Sequence, residues 1–209
     1  MTTPAVTGIT IGDDPDAWGA AGFTVAADGT AVVGGITLTF VGRAGGKGIR
    51  GWKWAGLPGD GPLDGLATES TAATGGPVPG EHPIGVTIID HVVIVTPDLD
   101  RTVPAFEARG LEVRRVRHTD QYGPPFRQVF FRGGETIIEM IGPDTPAEGD
   151  DRAAHFYGLA FTVGDLDTTA ARLGEHVGSV KDAVQPGRRI ATLRHRDFDI
   201  SVPVALMST

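Results

Sequence analysis

A short acidic pattern occurs twice in this chain, and the repeat restricts the folds that the chain can adopt. The letters Asp-Leu-Asp at 98–100 recur 67 positions later, at 165–167. Each copy follows an apolar run and precedes a run with helical spacing of its apolar residues. An internal repeat of this kind predicts that one supersecondary unit is used more than once and that the copies bury their apolar faces together.

The first copy predicts one helix among four strands. The run 88–95 is apolar and rich in β-branched residues, which is typical of a buried strand. Leu99, Val103 and Phe106 are spaced as on one helix face, and Gly110 ends that helix. Three further strands are predicted at 111–117, 126–132 and 136–141. The unit is therefore β-α-β-β-β.

The rest of the chain contains a second copy and a shortened one. The second copy has a strand from Phe156, a helix to about Glu175, and strands at 177–184, 189–195 and 200–207. Residues 5–57 have the same order with a short helix at 16–21, and the predicted strands are 6–11, 23–26, 31–41 and 49–57.

Two stretches rich in proline, glycine and small polar residues suggest where these units are separated. The longer one is 58–83, which is predicted to be a linker, and a shorter one follows Pro143. We therefore predict a reduced N-terminal unit at 1–57, the linker, and a domain at 84–209 that consists of units 84–143 and 153–209.

Two polar residues stand out inside the predicted strands of the central unit. His91 lies within the first strand and Glu139 within the last, each between apolar residues on the same face. A carboxylate in such surroundings is costly to bury without a partner. An imidazole can be that partner, or the two groups can be joint ligands of a metal. We predict that both side chains face one pocket, within reach of a hydrogen bond or of one bridging water, and a purely structural pair remains an alternative.

These residues resemble a known family. The β-α-β-β-β unit, its start DHVVIVTPDLD at 90–100 and its end ETIIEMIGP at 135–143 are similar to the vicinal oxygen chelate superfamily, which includes glyoxalases, extradiol dioxygenases and bleomycin resistance proteins. The resemblance covers about 84–209 well. It implies an α+β fold in which two units form one curved mixed sheet, a bowl whose concave face holds a small-molecule site.

The resemblance also implies a metal, and the sequence departs from it there. Metal-dependent members take one ligand from the first strand and one from the last strand of each unit. His91 and Glu139 match the two ligands of the first half, and the implied cofactor is one divalent ion, Zn, Fe, Ni or Mn. In the second half Gly158 takes the place of His91, and the last strand has no carboxylate. We therefore expect weak metal binding or none.

Composition excludes several other classes of function. The chain has no cysteine, which excludes disulfides and thiolate chemistry, and its formal net charge of −8 disfavours nucleic acid as a partner. The beginning of the sequence lacks a basic region followed by an apolar core, and no apolar run reaches membrane-spanning length. We expect a cytoplasmic protein without a membrane partner, and a homodimer remains open.

The first functional hypothesis is a glyoxalase-like lyase, isomerase or ring-cleaving dioxygenase. Glu139 would then be its general base or metal ligand, and His91 its ligand or proton donor. The rival hypothesis is a non-catalytic binding protein of the bleomycin-resistance type, which needs a pocket but no metal. Further candidates for contact with the small molecule lie on or beside the middle strands of the same unit: His118, Tyr122, Arg127, Gln128 and Arg132.

Overall fold

Two mixed β-sheets form the framework of the protein. The computed structural model describes residues 3–71, 77–120 and 124–209. In these residues the first sheet contains β1 (Ala5–Ile11), β2 (Thr30–Val33), β3 (Ile36–Phe40), β4 (Ile49–Ala55) and β5 (Thr68–Thr71). The second contains β6 (Val86–Val95), β7 (Arg115–Thr119), β8 (Phe126–Gly133), β9 (Thr136–Pro143), β10 (His155–Val163), β11 (Lys181–Asp182), β12 (Arg189–Thr192) and β13 (Val204–Met207). The α-helices of this part of the chain are α1 (Pro15–Ala20), α2 (Leu99–Glu107) and α3 (Leu166–Leu173).

The second sheet is two β-α-β-β-β units joined by their first strands. Its strand order is β11-β12-β13-β10-β6-β9-β8-β7. Within each unit the first strand is parallel to the last, β6 to β9 and β10 to β13, whereas β6 and β10 are antiparallel to each other. The predicted α+β fold class is confirmed. No helix in the described residues is long and apolar enough to cross a membrane.

The repeated Asp-Leu-Asp pattern is a helix start in both units. The side chains of Asp98 and Asp165 accept hydrogen bonds from the backbone N–H groups three residues later, which caps the first turns of α2 and α3. The next residue in each copy, Leu99 or Leu166, is buried beneath its helix. The repeat therefore encodes an N-cap followed by an apolar anchor.

The first sheet repeats the pairing of the second one in shortened form. Its order is β2-β3-β1-β4-β5, with β1 parallel to β3, β1 antiparallel to β4, and β4 parallel to β5. We had expected 49–57 to be the last strand of one reduced unit. Instead β3 occupies that place beside β1, and β4 lies at the other edge of β1, as the first strand of a second half would. Apolar periodicity alone does not say which edge of β1 a strand joins.

A common core of aromatic side chains lies between the two sheets. Trp52 of β4 makes edge contacts with Phe106 of α2 and Phe156 of β10, with ring centroids 6.1 and 5.0 Å apart. Trp18 of α1 approaches Phe161 of β10 in the same way. Large buried rings contribute strongly to stability, so these contacts fix the two sheets against each other.

Several predicted bounds differ from the structure because local hydrogen bonds compete with strand pairing. No strand forms at 23–26, where the N–H of Phe23 closes the end of α1. The N–H of Leu111 closes the end of α2 in the same way, so β7 begins at Arg115 and not at 111. In the second half the predicted strand 177–184 is reduced to Lys181–Asp182, and 200–207 to Val204–Met207.

Part of the segment that we predicted to be a linker is built into the fold. Thr68–Thr71 forms β5 at the edge of the first sheet. His82, within the predicted linker, is buried: its Nδ1 accepts a hydrogen bond from the N–H of Thr24, and its Nε2 lies 2.9 Å from the carbonyl oxygen of Val32. A proline- and glycine-rich composition predicts irregular backbone well, but it does not predict whether that backbone is tied to the core.

Candidate functional site

His91 and Glu139 meet on the concave face of the second sheet. β6 and β9 are parallel neighbours, and the register pairs His91 with Ile137 and Val93 with Glu139. Since side chains alternate along a strand, residues two positions apart share a face. His91 Nε2 lies 3.4 Å from Glu139 Oε2, and both side chains are largely buried. The structure therefore brings the two residues together as predicted.

A β-bulge turns a third polar side chain towards the same place. In the pairing of β6 with β10, Ala160 is opposite His91 but Phe161 is opposite Ile89, so Asp90 is an extra residue on β6. Simple alternation would put Asp90 and His91 on opposite faces. Because of the bulge, Asp90 Oδ1 lies 3.0 Å from His91 Nδ1. Asp90 thereby fixes the orientation of the imidazole ring.

Asp90 is a buried carboxylate with a full set of donors. Arg188 Nη2 lies 2.7 Å from its Oδ2, and the hydroxyl of Thr162 donates to the same oxygen at 3.0 Å. Burial on its own raises the pKa of a carboxyl group, but hydrogen bonds from His91 and Arg188 outweigh that effect and hold the pKa of Asp90 well below its ordinary value. Asp90 is therefore a fixed negative charge beneath His91.

Polar contacts continue from Glu139 across the neighbouring strands. Gln128 of β8 donates a hydrogen bond from Nε2 to Glu139 Oε1. The side-chain oxygen of Gln128, Oε1, accepts a hydrogen bond from Arg117 Nη1 of β7 at 3.2 Å. One chain of contacts thus runs from Arg188 through Asp90, His91, Glu139 and Gln128 to Arg117. Such a network orders each member and leaves few polar atoms unpaired.

The centre of this network forms part of the lining of a pocket of about 340 Å³. His91, Gln128 and Glu139 contribute the polar surface at its centre. One side of the pocket is basic, and its residues are Arg114, Arg115, Arg117 and Arg132. The opposite side is mainly apolar, and its residues are Ala183, Val184, Ile190 and Met207. The volume and mixed lining suit a compact organic molecule.

Only some of the other predicted contact residues reach this pocket. Gln128 and Arg132 contribute to its lining. His118 is exposed with its Nδ1 3.0 Å from Asp144, and Arg127 pairs with Asp100 at 2.7 Å, so neither lines it. Tyr122 lies outside the described residues.

Sequence reasoning missed several contributors to the network and the basic wall: Asp90, Arg114, Arg115, Arg117 and Arg188. An Asp next to His91 in an otherwise apolar strand was a usable signal, because an isolated charge in a buried strand needs a partner. The alternation of apolar and polar residues in the sequence does not indicate the bulge that aligns these two side chains. Arg188 approaches from the other half of the sheet, a long-range contact that no local pattern encodes.

The second half of the sheet lacks both counterparts of His91 and Glu139. Gly158 precedes the helix cap Asp165 by as many residues as His91 precedes the helix cap Asp98, so Gly158 takes the place of His91. The pairing of β10 with β13 likewise places Ala205 where the first half has Glu139. A Cβ atom at Gly158 would lie 2.6 Å from the carbonyl oxygen of Pro203, so the backbone leaves no room for a side chain there.

The donor set does not fit the metal that the resemblance implies. Elsewhere in the described part of the chain, too, no three His, Cys, Asp or Glu side chains are grouped so that they could hold a metal ion. Only His91 and Glu139 remain from the four ligand positions of the family. Both nitrogens of His91 already face carboxylates of the protein.

One solved structure among those compared has this architecture over nearly the whole chain. A 4-hydroxymandelate synthase mutant from Streptomyces coelicolor is 12% identical, with a TM-score of 0.62 over 98% of this chain and 92% of that one. This likeness shows the fold, and it extends over both sheets. A methylmalonyl-CoA epimerase from Mycobacterium tuberculosis is 22% identical over 59% of this chain and 89% of its own, with a TM-score of 0.46. A variant of the Streptomyces coelicolor epimerase is 25% identical over 59% and 98%, with a TM-score of 0.46.

Two comparisons of the sequence gave different results. A search of curated protein sequences found no match. The family model described as Glyoxalase/Bleomycin resistance protein/Dioxygenase superfamily matches residues 90–192, which run from Asp90 in β6 to the end of β12 and include His91 and Glu139. Through residues 90–192 the chain therefore belongs to the glyoxalase/bleomycin resistance protein/dioxygenase superfamily.

Proposed function

We propose that the protein binds a small organic molecule in the pocket around His91 and Glu139, without a bound divalent metal. The observation that carries this proposal is the position of the pair: the polar network converges on His91 and Glu139 in the lining of the 340 Å³ pocket. Concave sites with an apolar lining and a few convergent polar groups are typical of small-molecule binding.

The geometry of the pair leaves hydrogen-bonding capacity for a ligand. The 3.4 Å separation between His91 Nε2 and Glu139 Oε2 is long for a hydrogen bond between charged or polar groups. Asp90 and Gln128 hold the two side chains from behind, at His91 Nδ1 and Glu139 Oε1. A polar atom of a ligand can therefore contact Nε2 and Oε2 without disturbing the supporting contacts.

A fragment screen with a blocked pocket tests this proposal. Fragments that bind the parent protein are identified by ligand-observed NMR and measured again with Ala183→Trp, which places an indole in the pocket wall. Val116→Trp is the matched control, because Val116 lies between Arg115 and Arg117 on β7 but on the opposite face, and it is exposed. Binding that is lost in Ala183→Trp and kept in Val116→Trp supports the proposal, whereas fragments that bind both variants equally contradict it.

A second candidate function is proton transfer of the isomerase or lyase type. The observation that favours it is the support of His91 by Asp90, since a carboxylate behind an imidazole is a frequent way to orient a general acid or base. A neutral imidazole can donate to only one of its two carboxylate neighbours, whereas an imidazolium can donate to both. Glu139 or His91 would be the catalytic group.

Deuterium exchange separates this candidate from simple binding. Fragment hits with a hydrogen next to a carbonyl are incubated with the protein in D₂O, and deuterium incorporation at that carbon is followed by NMR. Exchange that is present in the parent and abolished in His91→Asn supports proton transfer. If all hits bind without exchange, the protein is a non-catalytic binding protein, the alternative of the bleomycin-resistance type.

A further inference from the structure

We infer that the pocket selects an organic anion, a compact molecule with one carboxylate or phosphate group on an apolar body. The inference rests on the proposed function, because it names the ligand class of the same pocket. The observations that carry it are an arginine-rich wall without matching carboxylates and an apolar wall opposite to it.

Strand register places the arginines on the face that carries Glu139. Arg115 of β7 is opposite Phe130 of β8, which in turn is opposite Glu139 of β9. Two residues further along β7, on the same face, Arg117 is opposite Gln128. Residues opposite each other in a sheet point to the same side, so the guanidinium groups extend over the same concave surface as Glu139.

These arginines lack the acidic partners that several other arginines of the chain have. In the described residues, no carboxylate lies within 4.0 Å of Arg115, Arg117 or Arg132, whereas Arg101, Arg127 and Arg188 each have one. Arg117 donates to the neutral amide of Gln128, and Arg132 donates to the backbone carbonyl of Glu135.

The remaining charges near the pocket do not cancel this basic wall. Arg114 pairs with Glu112 at 3.4 Å, but both side chains are mostly exposed, and such pairs contribute little. Glu139 is already in contact with His91 and Gln128. In a protein with a formal net charge of −8, the wall is therefore a local concentration of unmatched positive charge. Guanidinium groups bind carboxylates and phosphates through paired hydrogen bonds, which favours an anionic ligand over a neutral or cationic one.

The opposite wall determines the other end of the ligand. Ala183, Val184, Ile190 and Met207 come from β11–β13 and their connections, in the other half of the sheet. Val184 is 59% exposed, so a ligand that covers it removes apolar surface from water. A ligand that spans the pocket thus places its anionic group near β7 and its apolar body against these residues.

A set of ligands that differ only in charge tests the inference. Binding of hexanoate, hexyl phosphate, hexanamide and hexylamine to the full chain is measured by isothermal titration calorimetry at low ionic strength. We expect at least one of the two anions to bind about tenfold more tightly than the amide and the amine, and to lose affinity as salt is added. The two anions distinguish a carboxylate site from a phosphate site.

Variants of the basic wall complete the experiment. The double variant Arg115→Gln/Arg117→Gln should lose about tenfold affinity for the anion and keep its affinity for the amide. Arg189→Gln is the control, because Arg189 pairs with Asp167 on the surface and lies outside the pocket lining. Thermal melting checks that each variant is folded.

Four results would overturn the inference. If the amide binds as tightly as the better anion, or if the double variant binds the anion like the parent, the ligand class is wrong while the proposed binding function stands. If the amine binds best, the sign of the required charge is wrong. If none of the four compounds binds at the limit of its solubility, the inference fails, and the fragment screen with Ala183→Trp decides separately on the proposed function.

Discussion

Asp90 and His91, adjacent in the chain, form a hydrogen bond between their side chains across a β-bulge. Asp90 Oδ1 and His91 Nδ1 are 3.0 Å apart, and Arg188 holds the other carboxylate oxygen of Asp90. A regular strand would have turned one of the two side chains into the core between the sheets. The bulge thus builds a supported imidazole from two consecutive residues.

Loss of the charge on Asp90 should destabilise the protein in a pH-dependent way. Asp90→Asn keeps the volume but leaves the guanidinium of Arg188 without its ionic partner, at a cost of about 3 kcal/mol near neutral pH. The folded-state pKa of Asp90 is lowered, so its stabilisation is fully present above the ordinary carboxyl pKa of about 3.9 and is lost as the pH falls towards the folded-state value.

Urea denaturation of parent and variant at several pH values between 5.5 and 3 measures this effect. The difference in free energy of unfolding should be constant in the upper part of the range and should shrink below about pH 4. A difference that stays the same down to pH 3, or that grows as the pH falls, would contradict the role of Asp90 as a buried ionised carboxylate.

The position equivalent to His91 in the second half should not tolerate a side chain. In Gly158→Ala the new methyl group would lie 2.6 Å from the carbonyl oxygen of Pro203, so β10 and β13 must shift apart, at a cost of about 1–3 kcal/mol. Gly178→Ala is the control, because its methyl group would meet the nearest backbone atom at an ordinary 3.5 Å. Equal melting temperatures for the two variants would show that this position is open after all.

Metal binding should be weak or absent. The pair His91 and Glu139 lacks its two counterparts in the second half, where the structure has Gly158 and Ala205. Elemental analysis of protein purified without chelators should find less than stoichiometric Zn, Fe, Ni and Mn. A stoichiometric ion that is retained in the parent and lost in His91→Ala would refute this prediction and would favour a metal-dependent enzyme.

The sequence predicted the part of the site that follows from strand order. In a β-α-β-β-β unit the first and last strands are neighbours, so His91 and Glu139 come together wherever such a unit forms. The repeated Asp-Leu-Asp pattern likewise predicted both helix starts, because an N-cap and its apolar anchor act locally.

Features that depend on tertiary contacts escaped prediction. The bulge at Asp90 arises from the pairing of β6 with β10, which are far apart in the chain. The sequence does not predict the place of Arg115 and Arg117 either, since a strand pattern does not reveal which face lies over a pocket. The pairing of β4 with the free edge of β1 depends on where β3 docks, which apolar periodicity does not encode.

Removal of Glu139 should affect stability, ligand binding or both. Glu139→Ala leaves the amide of Gln128 without its acceptor and removes the carboxylate that lies 3.4 Å from His91 Nε2, at a cost of about 1–3 kcal/mol. Glu135→Ala provides the control, because Glu135 is an exposed turn residue whose contact with Arg132 uses the backbone carbonyl. Thermal melting with and without a ligand from the screen compares the two. If Glu139→Ala melts and binds like the parent, Glu139 has neither role.

The most direct test of the proposed site is the NMR signal of the His91 ring when a ligand binds. In protein labelled with ¹⁵N-histidine, the ring signals of His91 are assigned by their loss in His91→Gln, and the best-binding fragment is then titrated. The account predicts that the His91 ring signals shift in proportion to occupancy, whereas those of the more exposed His118 and His176, paired with Asp144 and Asp197, stay unchanged. A fragment that binds by calorimetry and leaves the His91 signals unmoved would show that the ligand site lies elsewhere.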